Sequence, residues 1–297
     1  MTSRGKQIIV ITAVVVISGY LLSLKPAGLI KPKVTKQGSG VVAGSRQLAS
    51  NVTVGDVSST AKTAIGAALA ATINDLEGQL KNASTDADKL SLDKKLAKQW
   101  DDDNQPAPAA FYYQEAAQKE NSFDDWLNAG NRFNDAYKGT QDTSVQPAFV
   151  ANAIADLKNA VKLKPDNLDA KTSLGVAYVN QTSSGIADAD GGSPMQGIMM
   201  LLDVVKKDPN NYKANLNLGM FAVQSKQYDK AVNRFKTAIA NAAGNQNMIE
   251  PYFYLAESYK QLGMKNEAIA AYEKCKQMIP DPLIGQKIDQ YIKELKN

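Results

Sequence analysis

The sequence predicts an all-α chain in which pairs of helices repeat and stack, preceded by a segment that spans a membrane. The first observation behind this prediction is a spacing of small and aromatic residues that recurs toward the carboxyl end. The second is an uncharged apolar run from Ile8 to Leu24. A third observation bears on function, namely the absence of histidine, the commonest catalytic base and metal ligand. The recurring residues are Leu218, Gly219, Ala231, Phe235 and Ala238 in one copy, and Leu255, Ala256, Ala268, Tyr272 and Cys275 in the next.

The amino end is predicted to be a transmembrane anchor over residues 1–25. The run Ile8–Leu24 has basic residues on both sides, among them Lys6 and Lys25. At about 1.5 Å of rise per residue, a helix of this length just spans a bilayer core of about 30 Å. A cleaved signal peptide is the alternative, but no A-x-A-like cleavage site follows the run. We therefore favour an anchor that is retained.

The sequence leaves the orientation of this anchor open. More basic residues follow the run than precede it, so the positive-inside rule would place the body of the protein in the cytoplasm. A short basic head followed by an apolar run and a large domain is instead typical of an exported protein. We predict an exported, periplasm-like location. The basic residues are Arg4 and Lys6 before the run and Lys25, Lys31, Lys33 and Lys36 after it.

A flexible tether and a leading helix are predicted to follow the anchor. Residues 26–56 are rich in Gly, Ser, Val and Lys and have no helical period. Within residues 57–89, apolar side chains recur every three or four positions and predict a helix over 59–81. Its apolar stripe either packs on the next helix pair, which we favour, or pairs with a second copy as a short coiled coil. The stripe consists of Ile65, Leu69, Ile73, Leu76 and Leu80.

Five helix–turn–helix units are predicted next, with large residues at fixed positions of the first helix and small residues where the two helices meet. The fourth and fifth units are the most regular, and the first is the least regular. The second and third carry inserts at 138–147 and 182–194. Residues 283–297 have helical spacing and predict a capping helix over the last unit. The units span 90–122, 123–167, 168–211, 212–248 and 249–282.

This pattern resembles the tetratricopeptide repeat (TPR) family, and with its apolar amino end it is similar to the membrane-anchored bacterial type. A unit of that family has about 34 residues, with Trp, Leu-Gly and Tyr on the first helix and Ala, an aromatic residue and Pro on the second. The resemblance implies a TPR-type helical solenoid, in which no unit buries its own apolar face and several must stack. In the fifth unit the matching residues are Leu255, Ala256, Tyr259, Ala268, Tyr272 and Pro280.

The resemblance also implies a binding groove lined by the first helices of the stacked units. In the family, positions 2, 5, 9, 12 and 13 of a unit commonly face that groove. Met220, Val223 and Phe253 stand at such positions and are more apolar than a solvated wall requires, which favours docking of a peptide or a helix. The predicted groove residues are Lys94, Lys98, Asn131, Asn134, Thr172, Val176, Lys213, Met220, Val223, Phe253, Glu257 and Lys260.

Composition argues against catalysis, a metal site and nucleic-acid binding. Cys275 is the single cysteine and has no histidine to activate it. The acidic, glycine-rich stretch 188–192 lacks the glycine position and closing Glu of a calcium loop. The net charge of +4, from 34 basic and 30 acidic residues, is too balanced for nucleic-acid binding. We predict no enzyme activity, no cofactor and no metal. Three methionines are expected to fill a core: Met195, Met199 and Met200.

Two functional hypotheses follow from this organisation. The favoured one is a membrane-tethered scaffold or adaptor that binds a protein or peptide partner in its concave groove. By its similarity to bacterial anchored repeat proteins, it would act in envelope assembly or secretion, as a single-pass inner-membrane protein with the repeats facing the periplasm. The alternative is a structural protein that forms a homodimer through the 59–81 helix. An enzyme is a distant third, since nothing in the sequence indicates a catalytic group.

Overall fold

Every regular element in the described part of the chain is an α-helix. The computed structural model describes residues 52–183, 194–244 and 246–296. These ranges contain thirteen helices and no strand, so the all-α prediction is confirmed. The helices are α1 Val54–Ile65, α2 Ala67–Asn82, α3 Asp86–Asp102, α4 Pro106–Glu120, α5 Phe123–Gly139, α6 Gln146–Leu163, α7 Leu168–Ser183, α8 Pro194–Lys207, α9 Tyr212–Gln224, α10 Tyr228–Ala240, α11 Ile249–Gln261, α12 Lys265–Gln277 and α13 Pro282–Lys296.

The predicted membrane anchor falls on residues that the structure does not describe. The same is true of residues 26–51 of the predicted tether and of most of the 182–194 insert. Among the helices of the described ranges, none combines the length and the apolar composition needed to cross a bilayer.

From α3 onward the helices form consecutive pairs that stack in chain order. The pairs α3/α4, α5/α6, α7/α8, α9/α10 and α11/α12 fall within the five predicted units, and α13 packs on α12. The first helices of neighbouring pairs also contact one another, as α5 does α7, α7 does α9 and α9 does α11. The solenoid therefore has one wall built of first helices, which we call the inner wall.

Small residues allow the two helices of a pair to approach closely. A Cβ atom on Gly197 of α8 would lie 2.4 Å from the carbonyl oxygen of Gly175 on α7, so the two backbones are in contact. In α9/α10, a Cβ atom on Gly219 would lie 2.6 Å from Cε1 of Phe235. The Phe235 ring is itself fully buried. Any larger residue at these glycines would separate the helices, since packed interiors leave no room for an added methyl group.

Three of the pairs are joined by the same three-residue turn. Its middle residue adopts a left-handed conformation in each case, with φ of 56° at Asn104, 58° at Lys226 and 74° at Gly263. The pairs α5/α6 and α7/α8 have longer connections at this place, residues 140–145 and 184–193. The first helices end in capping hydrogen bonds. These bonds run from the backbone N of Gln105 to O of Trp100 (2.9 Å), from Gln227 to Ala222 (2.7 Å) and from Met264 to Tyr259 (3.0 Å).

The prediction of one leading helix over 59–81 is wrong, because two helices occupy that region. The helix is interrupted at Gly66, whose φ of 84° and ψ of 158° lie outside the range that other residues readily adopt. Helix α1 begins before the predicted start, because the Thr53 side chain accepts a hydrogen bond from the backbone N of Asp56 and the Asp56 carboxylate accepts one from the backbone N of Thr53.

The apolar stripe of this region packs on the same chain. Ile65 and Ile73 are buried, and the three leucines of the stripe are partly buried in a cluster with Trp100. Helix α1 contacts α4, and α2 contacts α3. The interpretation that the stripe packs on the next helix pair is therefore correct, and its residues do not form an open face for a second copy.

A partly buried carboxylate fixes these two helices to the first unit. Glu77 of α2 accepts hydrogen bonds at Oε1 from the Ser58 hydroxyl (2.5 Å) and from the Tyr112 hydroxyl (3.1 Å). Its other oxygen forms an ion pair with Lys62. Burial and the neighbouring Glu77 charge raise the pKa of Tyr112, so the phenol remains a donor. One carboxylate thus joins α1, α2 and α4.

The glycine contacts predict a large difference between two Gly→Ala substitutions. Gly197→Ala should lower the free energy of unfolding by about 2 kcal/mol, because the added methyl group meets backbone atoms. Gly78→Ala in α2 should raise it by about 0.5 kcal/mol, because that glycine lies inside a helix with no atom within 4 Å of the added carbon. Urea unfolding followed by circular dichroism measures both. Equal effects would show that α7 and α8 are not in backbone contact.

Candidate partner-binding site

The twelve predicted groove residues all lie on first helices and therefore on the inner wall. Half of them are exposed or partly exposed at its surface, namely Lys94, Lys98, Asn131, Lys213, Met220 and Lys260. The other half are buried. The buried ones are Asn134, Thr172, Val176, Val223, Phe253 and Glu257.

For the six buried residues the structure differs from the prediction, because neighbouring first helices pack directly against one another. Thr172 is 1% exposed, and Val176 belongs to an apolar cluster with Leu218 of α9. The side-chain amide of Asn134 donates to the backbone oxygen of Ser173 across the α5–α7 contact (3.1 Å). Side chains held between helices in this way are not presented to a docked partner.

Phe253 is buried by the last helix of the chain. The ring is 1% exposed, and its centroid lies 6.1 Å from that of Tyr272 and 6.4 Å from that of Tyr291 on α13. Helix α13 thus stands beside α11, where the first helix of a sixth unit would lie. Next to this aromatic cluster, Glu257 accepts a hydrogen bond from the Tyr272 hydroxyl. Burial raises the pKa of the Glu257 carboxyl.

The polar side chains at the amino-terminal part of the inner wall bind one another. Lys94 forms ion pairs with Glu120 and with Asp125, the latter at 3.3 Å. Arg132 Nε of α5 lies 2.6 Å from an Asp101 oxygen of α3. These contacts cross-link neighbouring units and occupy the charges that a partner would need. Two further pairs also occupy polar groups of this wall: Lys98 with Asp102 at 2.9 Å, and the Ser173 hydroxyl with Asn131 Oδ1 at 2.5 Å.

The carboxyl-terminal part of the inner wall is different. Lys213 is exposed and forms no ion pair within the described residues, and Met220 is partly exposed. The Lys260 ammonium lies 5.4 Å from the centroid of the Tyr291 ring. This part of the wall therefore combines two cations with an apolar side chain and an aromatic ring, a set that suits acidic and apolar groups of a partner.

Tyr291 is a wall residue that the sequence analysis missed. The five predicted units end at Pro282. If the same numbering continues through α13, Tyr291 stands at position 9 of a sixth first helix. That position also holds Met220 in the fourth unit and Glu257 in the fifth. The repeat spacing was therefore a usable signal. It was overlooked because the segment was interpreted only as a cap.

Catalytic and metal chemistry find no support in the described residues. No group of three or more acidic or sulfur ligands among them is arranged to hold a metal ion. Cys275 is fully buried, its thiol contacts the Ile249 carbonyl oxygen at 3.5 Å, and burial raises its pKa to about 12. A thiol protonated to this extent is a packing group rather than a nucleophile. The acidic stretch 188–192 lies outside the described residues.

A family comparison identifies the repeat. A sequence model of the tetratricopeptide repeat family matches residues 249–282, which hold α11 and α12 with their small and aromatic core residues. Residues 249–282 therefore form a tetratricopeptide repeat. The other four helix pairs have the same architecture, and two of them have longer connections.

Comparison with a solved structure supports this fold over about two thirds of the chain. The crystal structure of TTC0263, a thermophilic TPR protein of Thermus thermophilus, is 20% identical and covers 69% of this chain and 98% of that one, with a TM-score of 0.51. The MamA crystal structure is 17% identical, with coverages of 64% and 92% and a TM-score of 0.42. BBSome complex member bbs-4 of Caenorhabditis elegans is 28% identical over 88 residues, and the chain spans 17% of its length.

One carboxyl group is buried between the first two repeats, and no cation of the described residues pairs with it. Asp156 of α6 is 1% exposed, and both of its oxygens accept hydrogen bonds from the Gln114 amide of α4, at 3.0 and 3.1 Å. Burial raises its pKa to about 7, and the Gln114 bonds only partly offset this. The folded protein therefore holds a proton here at pH values where the unfolded chain has lost it.

This carboxyl predicts that stability falls as pH rises from about 4 to about 7 and then levels off. Asp156→Asn keeps the shape of the side chain and stays neutral at every pH. At pH 8 its free energy of unfolding should therefore exceed that of the wild type by about 2 kcal/mol, and it should unfold at a higher temperature. At pH 4 the two proteins should be equally stable. Thermal unfolding across this range tests the prediction. The exposed Glu273→Gln serves as the control. An equal effect of both variants at pH 8 would contradict it.

The burial of Phe253 predicts a stability role in place of the groove role. Phe253→Ala should lower the free energy of unfolding by about 3 kcal/mol, because it empties the space between α11, α12 and α13. Met220→Ala, on the partly exposed surface, should lower it by about 1 kcal/mol. Denaturant unfolding distinguishes the two. If the Phe253→Ala protein is as stable as the wild type, Phe253 is not part of the core, and its predicted position in the groove stands.

Proposed function

We propose that this repeat protein is a membrane-tethered adaptor that holds a segment of a protein partner against the carboxyl-terminal part of its inner wall. The observation that carries the proposal is the contrast between the two parts of that wall. Lys94 and Arg132 are bound to carboxylates of neighbouring helices. Lys213 and Lys260 form no ion pair within the described residues, and Lys260 lies over an aromatic ring. A partner that binds Lys213 and Lys260 therefore breaks no ion pair of the described residues.

The chemistry of this surface defines the partner segment. Lys213 and Lys260 would bind carboxylates, while Met220 and the Tyr291 ring would contact an apolar side chain. Methionine adapts to apolar groups of different shapes, which suits an adaptor. We therefore propose an acidic segment with at least one large apolar residue, in extended or helical form.

The amino-terminal sequence supports the tethering part of the proposal. The run Ile8–Leu24 would cross the membrane, and residues 25–51 would link it to the first helix. Such a tether raises the concentration of the wall near membrane complexes without any new contact. In this proposal the chain is of the membrane-anchored bacterial type, the repeats face the periplasm, and the partners act in envelope assembly or secretion.

A pair of matched charge reversals tests the binding site. Lys213→Glu with Lys260→Glu should reduce recovery of the crosslinked partner from native membranes at least about tenfold, because both cations meet the partner's carboxylates. Lys230→Glu with Lys236→Glu makes the same charge change on exposed positions of α10 and should leave recovery unchanged.

A photo-crosslinking residue at Met220 should then label a protein that the same residue at Asn233 on α10 does not. Equal labelling from both positions would contradict the proposal. An equal loss of partner recovery in both double variants would contradict it as well. A reporter fused at the carboxyl end separately measures which side of the membrane the repeats face.

A further inference from the structure

The outward face of α8 carries a row of large apolar side chains. Met195 is 63% exposed, Met199 is 62% exposed and Leu202 is 44% exposed. Their spacing of four and three residues places them on one stripe of the helix, which we call the outer stripe. Lys206 continues the stripe, and Lys207 flanks it. The expectation that these methionines fill a core holds only for Met200, which packs against an apolar cluster.

The outer stripe is unusual for a second helix of this solenoid. The opposite side of α8 already packs inward through Gly197, Leu201 and Val204, so the stripe is not needed for the core. The equivalent outward face of α10 presents polar side chains, Asp229, Asn233 and Lys236, as solvent contact requires. A row of exposed methionine and leucine side chains next to lysines marks an interaction surface.

We propose that the outer stripe rests on the surface of a membrane that contains anionic lipid, with the three apolar side chains among the headgroups. The charges suit this occupant, because Lys206 at the exposed end of the helix forms no ion pair within the described residues, whereas Lys207 forms one with Asp203 at 3.6 Å. A helix with exposed Met and Leu side chains bordered by lysines is the form that interfacial helices take.

The start of the described chain and Met200 of α8 belong to one extended apolar cluster, which also runs through α4, α5, α6 and α7. Val52, Val54 and Val57 belong to the cluster that also contains Met200. The preceding 51 residues, with the apolar run Ile8–Leu24, therefore join the fold at this cluster. The inference rests on the proposed tether, which would hold α8 close to a bilayer and make a small interfacial contact effective.

Two other occupants fit the outer stripe less well. Three side chains of this size offer on the order of 300 Å², against about 800 Å² per partner in a stable dimer, so a second copy lacks contact area. The connecting sequence 184–193 contains a single large apolar residue, Ile186, and is otherwise small or acidic. It offers too little apolar surface to cover three large side chains.

The full-length chain, reconstituted in vesicles, tests the inference. A Met199→Cys variant in a Cys275→Ala background is labelled with an environment-sensitive dye. In phosphatidylcholine vesicles that contain phosphatidylglycerol, the emission should rise about twofold and be quenched by spin-labelled lipid, because the dye enters the headgroup region. A matched label at Asn233→Cys should remain in water. Met195→Glu with Leu202→Glu should abolish the change at position 199.

Each other outcome counts against the inference. Dye at position 199 that stays in water while the chain floats with the vesicles would overturn the membrane contact and leave the tether intact. A chain that does not float would overturn the tether and the contact together. An emission change in detergent that grows with protein concentration indicates a second copy. An emission change that depends neither on lipid nor on protein concentration indicates a segment of the same chain. Photo-crosslinking at Met220 reports partner binding separately.

Discussion

The close approach of the two helices within each pair is the constraint on which the rest of this structure depends. At Gly175 and Gly197 the backbones of α7 and α8 touch, and at Gly219 the Phe235 ring lies against the backbone of α9. Helices this close bury only one side of each, so the remaining apolar surface must be covered by the next pair. Stacking follows, and with it the contact between successive first helices that shapes the inner wall.

That contact decides which residues of the inner wall a partner can reach. Between the first three units, Asp101 binds Arg132 and Asn134 binds the Ser173 backbone, so polar groups hold the units together. Toward the carboxyl end the described residues Lys213 and Lys260 form no ion pair with one another's helices or with neighbouring units, and α13 adds the Tyr291 ring beside Lys260. The same helix that closes the apolar core of the solenoid therefore contributes to the surface on which we propose that a partner docks.

The two proposed surfaces lie on different helices and are compatible with one another. The inner wall uses first helices, whereas the outer stripe lies on α8, a second helix whose inward side is already packed. A membrane beneath the outer stripe would leave the inner wall open. The α1 and α2 helices, held by Glu77, would transmit the position of the tether to the first repeat through contacts with α3 and α4. Binding and attachment would then occur on separate sides of a single array.

The sequence by itself determined the helix pairs, because the spacing of residues such as Leu255, Ala256 and Tyr272 is a local property of the chain. It also showed that none of the 297 residues is a histidine that could serve as a base or a metal ligand. It did not reveal the break at Gly66, since a helical apolar period continues across that glycine. Only the tertiary structure decided which wall residues are accessible. Phe253 and Lys260 both stand at positions that were predicted to face the groove, yet α13 buries Phe253 and leaves Lys260 at the surface. Accessibility differs because it depends on which helix packs alongside.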